Sequence, residues 1–136
     1  MIGITIDTGF AINCNTSAKD AFNRILFSTT KIVPYVGSDG TPRGCLTKPM
    51  IDRAVAGNDF HKGIMTEINR QNEDTSYVVL PLKQACPQMA DLVPSESFYG
   101  SIATSMCDEY LVYDKPIIFT DKKGMAIGIT VINKED

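Results

Sequence analysis

The chain opens with MIGITIDTGF, in which an apolar strand runs into an acid, Asp7, followed two residues later by Gly9. Isoleucine at every second position is the period of a strand with one buried face. An acid at the end of a buried strand can form part of an active site, and the same arrangement is a common way to begin a turn. Asp7 is therefore a candidate catalytic residue, and a local hydrogen-bonding role is the alternative.

The tripeptide DTG at positions 7–9 resembles the active-site loop of aspartic proteases, in which two such acids share a proton and activate water. Only one copy occurs in this chain, so the resemblance implies a homodimeric hydrolase of the retroviral type. Such an enzyme carries an apolar-apolar-Gly segment near its C-terminus, which the AIG at positions 126–128 loosely matches. The chain departs from the family at the bulky Phe10 and in its predicted helices, where the family has mostly strands.

The same opening stretch also resembles the first phosphate loop of actin-like and sugar-kinase ATPases. In that loop a strand ends in an acid, a glycine follows two positions later, and a hairpin returns. The resemblance implies that Asp7 would hold a metal ion and that backbone N–H groups near Gly9 would face phosphate. The AINC at positions 11–14 could begin the returning strand, although the chain is much shorter than those two-lobed enzymes.

The segment at positions 37–44 is rich in turn-forming residues and contains three glycines. Its backbone could form a concavity for an anion, with an arginine as counter-ion. Its spacing is that of neither a Walker A loop nor a dinucleotide-binding fingerprint. We therefore consider two alternatives here, an exposed connection or a site for a small anionic ligand. The residues of that predicted ligand-binding site are Gly37, Asp39, Gly40, Thr41 and Arg43.

Histidine and cysteine are too dispersed to form a recognisable reactive motif. His61 is the only histidine, and the cysteines are Cys14, Cys45, Cys86 and Cys107. This spacing is not that of a zinc site, so we expect no metal centre, and no motif calls for a cofactor. We expect packed, reduced thiols and a surface or capping histidine.

Composition limits the partners and the compartment. With 43% hydrophobic and 21% charged residues and a net charge of −3, the chain is typical of a globular protein. Its charges are interspersed, so we expect no nucleic-acid partner. No apolar run approaches the roughly 20 residues of a membrane span, and no signal peptide is recognised. We therefore expect a soluble protein without a membrane partner in a reducing, cytoplasmic-type compartment.

Helix-start signals predict three helices in the first half of the chain and a fourth later. The first three begin after Ser17, Thr47 and Asn58 or Asp59, which are residue types that cap helices. We predict a loop over positions 71–76. The fourth helix is predicted after position 95, because apolar residues at positions 98, 102 and 106 recur at a spacing of four.

Strand signals dominate the C-terminal part. We predict strands at positions 2–6, 77–82, 111–113, 116–120 and 125–132, and a short extended piece that contains Pro34 at positions 31–36. Pro81 lacks a backbone N–H and so indicates a sheet edge or a strand end. A loop ending in Gly124 joins the last two strands into a hairpin. One face of the last strand carries small residues, so that another backbone can approach it closely.

These elements predict a single α+β domain over residues 1–136, with three to four helices packed on a small mixed or antiparallel sheet and a C-terminal β-hairpin. We favour a non-enzymatic interaction or assembly protein, acting as a homo-oligomer or with a protein partner through a strand edge. A viral accessory or virion component would fit such a chain. The alternative is a small homodimeric hydrolase or a phosphate- or anion-binding protein centred on Asp7. Few converging acids, bases or donors support that alternative.

Overall fold

The computed structural model describes residues 1–74, 77–89 and 99–133. Their strands are β1 (Ile2–Thr8), β2 (Ile32–Val36), β3 (Pro42–Thr47), β4 (Val78–Pro81), β5 (Gly100–Met106), β6 (Pro116–Thr120) and β7 (Ala126–Val131). Their helices are α1 (Ala18–Phe27), α2 (Lys48–Ala56), α3 (Phe60–Asp74) and α4 (Leu82–Ala85). Short 3-10 turns follow at Pro87–Met89 and Asp108–Tyr110. The predicted α+β class is confirmed, and no described helix has the length and apolar character needed to cross a membrane.

Two sheets organise these elements. The larger one is mixed, in the order β4-β6-β7-β1-β5, so that β1 is an interior strand and β5 lies at an edge. β1 is antiparallel to β5 and to β7, whereas β4 is parallel to β6. β6 and β7 form the predicted C-terminal hairpin, and Pro81 ends edge strand β4, as predicted. β2 and β3 form a separate antiparallel pair.

Apolar packing covers the large sheet unevenly. Ile4 and Ile6 of β1 pack with apolar residues of α4 and the turn after it on one face. On the other face, Ile118 and Ile129 contact residues of the β2–β3 sheet. The three longer helices pack against β2 and β3 in a core of their own. The part of the second face that is formed by β1 and β5 therefore carries few apolar contacts.

Local contacts explain the helix boundaries. The Ser17 hydroxyl accepts a hydrogen bond from the Asp20 N–H at 3.1 Å, which confirms the predicted start of α1. α3 contains Gly63 because a Cβ there would lie 2.9 Å from the Ala54 Cα of α2. The two helices can approach this closely only with glycine at position 63, and this packing compensates for the low helix propensity of glycine.

Two predicted boundaries were wrong. α3 continues to Asp74 instead of ending before position 71, where a loop was predicted, because the Gln71 amide holds this end of the helix against β3. That amide accepts from the Cys45 N–H and donates to the Cys45 carbonyl oxygen, both at 2.7 Å. Positions 111–113 are not a regular strand, and Tyr113 forms an isolated bridge with Ile132.

The predicted fourth helix was also wrong. Positions 95 and 98 lie outside the described residues, and Gly100–Met106 is strand β5. A spacing of four places Ile102 and Met106 on one face of a helix, but four is also two strand periods. Pairing with β1 decides between the two, since Ile102 lies opposite Ile6 and Met106 opposite Ile2.

The cysteines differ in environment. All four are free thiols, with Cys14 exposed and Cys45 and Cys86 buried. Burial raises the pKa of Cys45 to about 12 and that of Cys86 to about 11. Because the thiolate is the reactive form, these two thiols are protected both by exclusion of solvent and by their protonation.

We therefore expect Cys14 to react with Ellman's reagent in the native protein at about pH 8, and Cys45 and Cys86 to react only after unfolding. The measurement is thiol release with and without denaturant, and the variant Cys14→Ser should remove the fast phase. Rapid native labelling of Cys45, identified by peptide mass, would contradict this assignment.

Candidate functional site

The predicted catalytic residue Asp7 is an interior acid at the end of β1, and it is 1% exposed. Its Oδ1 accepts hydrogen bonds from the Thr29 N–H at 3.2 Å and from the Ser101 hydroxyl at 2.7 Å. Its Oδ2 accepts from the N–H and the hydroxyl of Thr30, at 2.8 and 2.5 Å. A buried carboxylate requires such donors, and here they come from the α1–β2 loop and from β5. We call this cluster the Asp7 clamp.

The end of α1 supplies the backbone donors of the clamp. Ser28 closes the helix through its N–H, which donates to the Arg24 carbonyl oxygen at 3.0 Å. The chain then turns through Lys31, whose φ is 58°. The N–H groups of the next residues, Thr29 and Thr30, donate to Asp7 instead of to a helix carbonyl.

The clamp reaches the protein surface through two hydroxyl groups. Thr29 Oγ1 and Ser101 Oγ lie 2.6 Å apart, and both residues are exposed. Because the Ser101 hydroxyl donates to Asp7, the Thr29 hydroxyl is the donor in this contact. The side chain of Ser101 thus ties β5 to the α1–β2 loop.

As a candidate catalyst, Asp7 has both oxygens occupied by donors. No second carboxylate is among its hydrogen-bond partners in the described residues. No group of three His, Cys, Asp or Glu side chains in that part of the chain is arranged to hold a metal ion. The arrangement suits an acid that fixes structure, and a catalytic role for Asp7 stays a prediction.

Positions 37–41 of the predicted anion-binding loop lie in the turn between β2 and β3, whereas positions 42–44, which include Arg43, belong to strand β3 because they pair with β2. The turn uses many of its donors internally. The Gly37 N–H donates to the Thr41 carbonyl oxygen, and the Gly40 N–H donates to the Gly37 carbonyl oxygen, both at 2.9 Å. Asp39 accepts from the N–H and the hydroxyl of Thr41, which lowers the pKa of this exposed acid. Arg43 lies beside Gly37, where a Cβ would be 2.9 Å from the guanidinium Nε. Many polar groups of this loop are therefore already hydrogen-bonded to one another, and ligand binding by the loop stays a prediction.

His61 and the cysteines do not assemble a nucleophile and base. His61 is exposed in the first turn of α3, and its ring centroid lies 5.7 Å from that of Phe60. Within the described residues, no hydrogen bond joins His61 to a cysteine.

No protein-family model matches the chain, and neither a curated protein nor a solved structure matches it.

Strand β5 is one of two strands that the sequence analysis missed, the other being β3. It pairs with β1 over 7 residues without a register shift, and no other described strand pairs with it. Its sequence, GSIATSM, contains neither a charge nor a proline. Edge strands of natural proteins are usually blunted by charges, proline or bulges. The small side chains and regular register of β5 instead leave its edge open to another strand.

Hydrogen bonds near the C-terminal end of β5 show which of its residues direct their backbone N–H and C=O groups away from β1. The Cys107 N–H donates to the Ala85 carbonyl oxygen, and the Ser105 carbonyl oxygen accepts from the Gln88 amide. These groups point away from β1, and alternate residues of an antiparallel strand share one direction. The remaining outward-directed residues, without a described partner, are Ser101 and Ala103.

The sheet face beside β5 is also open. Gly3 of β1 and Ala103 of β5 are exposed on this face. A shallow concavity of about 1080 Å³ lies here, bounded by Thr5, Thr29 and Val131 among others. Small side chains leave this face accessible, so a strand added at β5 would continue an exposed surface.

The Asp7 clamp predicts a large loss of folding stability when Asp7 is replaced. In Asp7→Asn, an amide NH2 replaces one acceptor and faces a backbone or hydroxyl donor. We expect the free energy of unfolding to fall by about 2–4 kcal/mol, the cost of losing charge-assisted bonds and burying unpaired donors. Chemical denaturation followed by circular dichroism measures it.

Asp20→Asn is the matched control, because Asp20 is an exposed acid in the first turn of α1. It should change stability by less than about 1 kcal/mol. Equal stability of the Asp7→Asn and Asp20→Asn proteins would contradict a structural clamp.

Proposed function

We propose that this chain is a non-enzymatic interaction protein that forms a homodimer by pairing the β5 edges of two copies. The observation that carries the proposal is the edge of β5 at Ser101 and Ala103, whose outward-directed backbone groups have no described partner, in a strand without a charge or a proline. Such an edge binds another strand through main-chain hydrogen bonds. A second copy of β5 is a strand of matching length, and antiparallel pairing of identical strands creates a closed two-fold interface.

The outward direction of alternate residues fixes the expected register. Antiparallel strands exchange two hydrogen bonds at each hydrogen-bonded residue pair. Placing the two-fold axis at Ile102 sets Ser101 opposite Ala103 of the second copy, and Ala103 opposite its Ser101. Both pairs then use outward-directed groups. This register leaves the ladder between β5 and β1 unchanged and extends the sheet across both copies.

Two exposed aromatic side chains, Phe27 at the end of α1 and Tyr99 just before β5, support this proposed interface. Phe27 is 77% exposed and Tyr99 is 53% exposed. Both line a shallow surface concavity with Gly100, the first residue of β5. Aromatic side chains supply much of the energy of protein interfaces. A strand added to β5 would bring its own residues close to this aromatic pair and remove apolar area from water.

The variant Ala103→Pro tests the pairing. Proline removes the outward N–H at position 103 but no bond to β1, and proline is tolerated where an edge N–H faces solvent. We expect the wild-type chain to have twice the mass of one chain in sedimentation equilibrium, and the Ala103→Pro protein to have the mass of one chain.

Ala103→Thr is the matched control, because it keeps the N–H and favours a strand. It should remain dimeric, and circular dichroism should show that all three proteins are folded. A wild-type protein that is monomeric at all concentrations would overturn the homodimer. An Ala103→Pro protein that associates like wild type would exclude β5 as the interface.

A further inference from the structure

A cleft of about 540 Å³ opens at the end of β1. Its walls come from the turn after β1, the hairpin between β6 and β7, and α1. The residues that concern its chemistry are Phe10, Ala11, Arg24, Tyr99, Lys122 and Lys123. This volume is in the range of sites for small molecules.

The cleft carries more positive than negative side chains, in a chain whose net charge is −3. Arg24, Lys122 and Lys123 line it, together with Asp7 and Asp121. The Asp7 carboxylate is occupied within the clamp, and Asp121 Oδ1 accepts from the N–H groups of Lys123 and Met125. No ion pair within the described residues neutralises any of the three cations. A concave site with an excess of positive side chains attracts anions.

Arg24 is held in place by two contacts. Its Nη1 donates to the Ala11 carbonyl oxygen at 2.5 Å, and its guanidinium carbon lies 5.8 Å from the centre of the Tyr99 ring. Phe10 supports that ring edge-on, with centroids 5.9 Å apart. A guanidinium has five N–H donors, so most of them stay available to an anion. A fixed guanidinium loses little freedom when it binds.

The turn after β1 adds backbone donors. Gly9 adopts a φ of 80°, a conformation that favours glycine. The N–H groups of Gly9, Phe10 and Ala11 have no hydrogen-bond acceptor within the described part of the chain. All three residues line the cleft. Successive unpaired N–H groups beside cationic side chains form a common site for phosphate oxygens.

We propose that this cleft binds a phosphorylated small molecule, with the phosphate among Arg24, Lys122 and Lys123. This ligand-binding role goes beyond the interaction role of β5; the two surfaces share Tyr99, whereas Lys122 and Lys123 line the cleft alone. Tyr99 and Phe10 provide an apolar wall for the remainder of the ligand. Lys122 and Lys123 lie exposed on the hairpin loop, where they can move to meet the phosphate oxygens.

Isothermal titration calorimetry of the intact protein tests the proposal with four probes: a mononucleotide, a hexose phosphate, inorganic phosphate and the unphosphorylated nucleoside. Binding of any phosphorylated probe, with at least tenfold weaker binding of the nucleoside, supports the site. Comparison of the three phosphorylated probes identifies the favoured source of the phosphate. Absence of binding at about 1 mM for all three, or equal binding of the nucleoside and its phosphate, would overturn it.

The double variant Lys122→Ala with Lys123→Ala locates the binding. Both side chains are exposed, so the fold should be retained, and we expect about tenfold or greater loss of affinity for the best probe. The control Lys19→Ala with Lys62→Ala removes the same charge from exposed positions outside the cleft and should bind like wild type. Equal affinities of the two double variants would exclude the cleft as the phosphate site.

Discussion

Burial of the Asp7 carboxylate requires three separate parts of the chain to lie together. The end of β1 carries the acid, and the α1–β2 loop and β5 supply its hydrogen-bond donors. A carboxylate taken out of water is costly unless donors replace the lost hydration. Here the donors are two backbone N–H groups and two hydroxyls from the α1–β2 loop and β5. If either segment moved, an oxygen of Asp7 would lose its partners. The clamp therefore fixes the end of β1, the end of α1 and the start of β5 relative to one another.

Both surfaces of interest depend on this arrangement. At β5, the Ser101 hydroxyl binds inward to Asp7 while its backbone is directed outward, so the strand is held firmly but its edge stays open. In the last turn of α1, which the clamp fixes, Arg24 lies against the turn after β1 and contacts Ala11. A local change at Asp7 should consequently disturb both surfaces, whereas changes at either surface should leave the clamp intact.

Short-range patterns in the sequence predicted much of the fold, but they could not predict contacts between residues that are far apart in the chain. Alternating isoleucines in β1, the Ser17 cap and the turn at Gly124, with φ of 84°, are local signals that the structure confirms. β5 was missed because its apolar spacing suits a helix and a strand equally, and only pairing with β1 decides. The partners of Asp7 are 22 to 94 residues away, so no motif around DTG could reveal them. The cations of the cleft are likewise brought together by folding alone.

The two proposed interactions differ in physical origin, and salt concentration should separate them. The proposed pairing of β5 uses neutral backbone groups and apolar side chains, whose contributions change little with ionic strength. The cleft relies on Arg24 and two lysines, and attraction between exposed charges is screened over about 8–10 Å at physiological salt. Raising the salt concentration should therefore weaken ligand binding in the cleft and leave dimer formation nearly unchanged. A dimer that dissociates in moderate salt would instead indicate that charged groups, absent from β5 itself, hold the copies together.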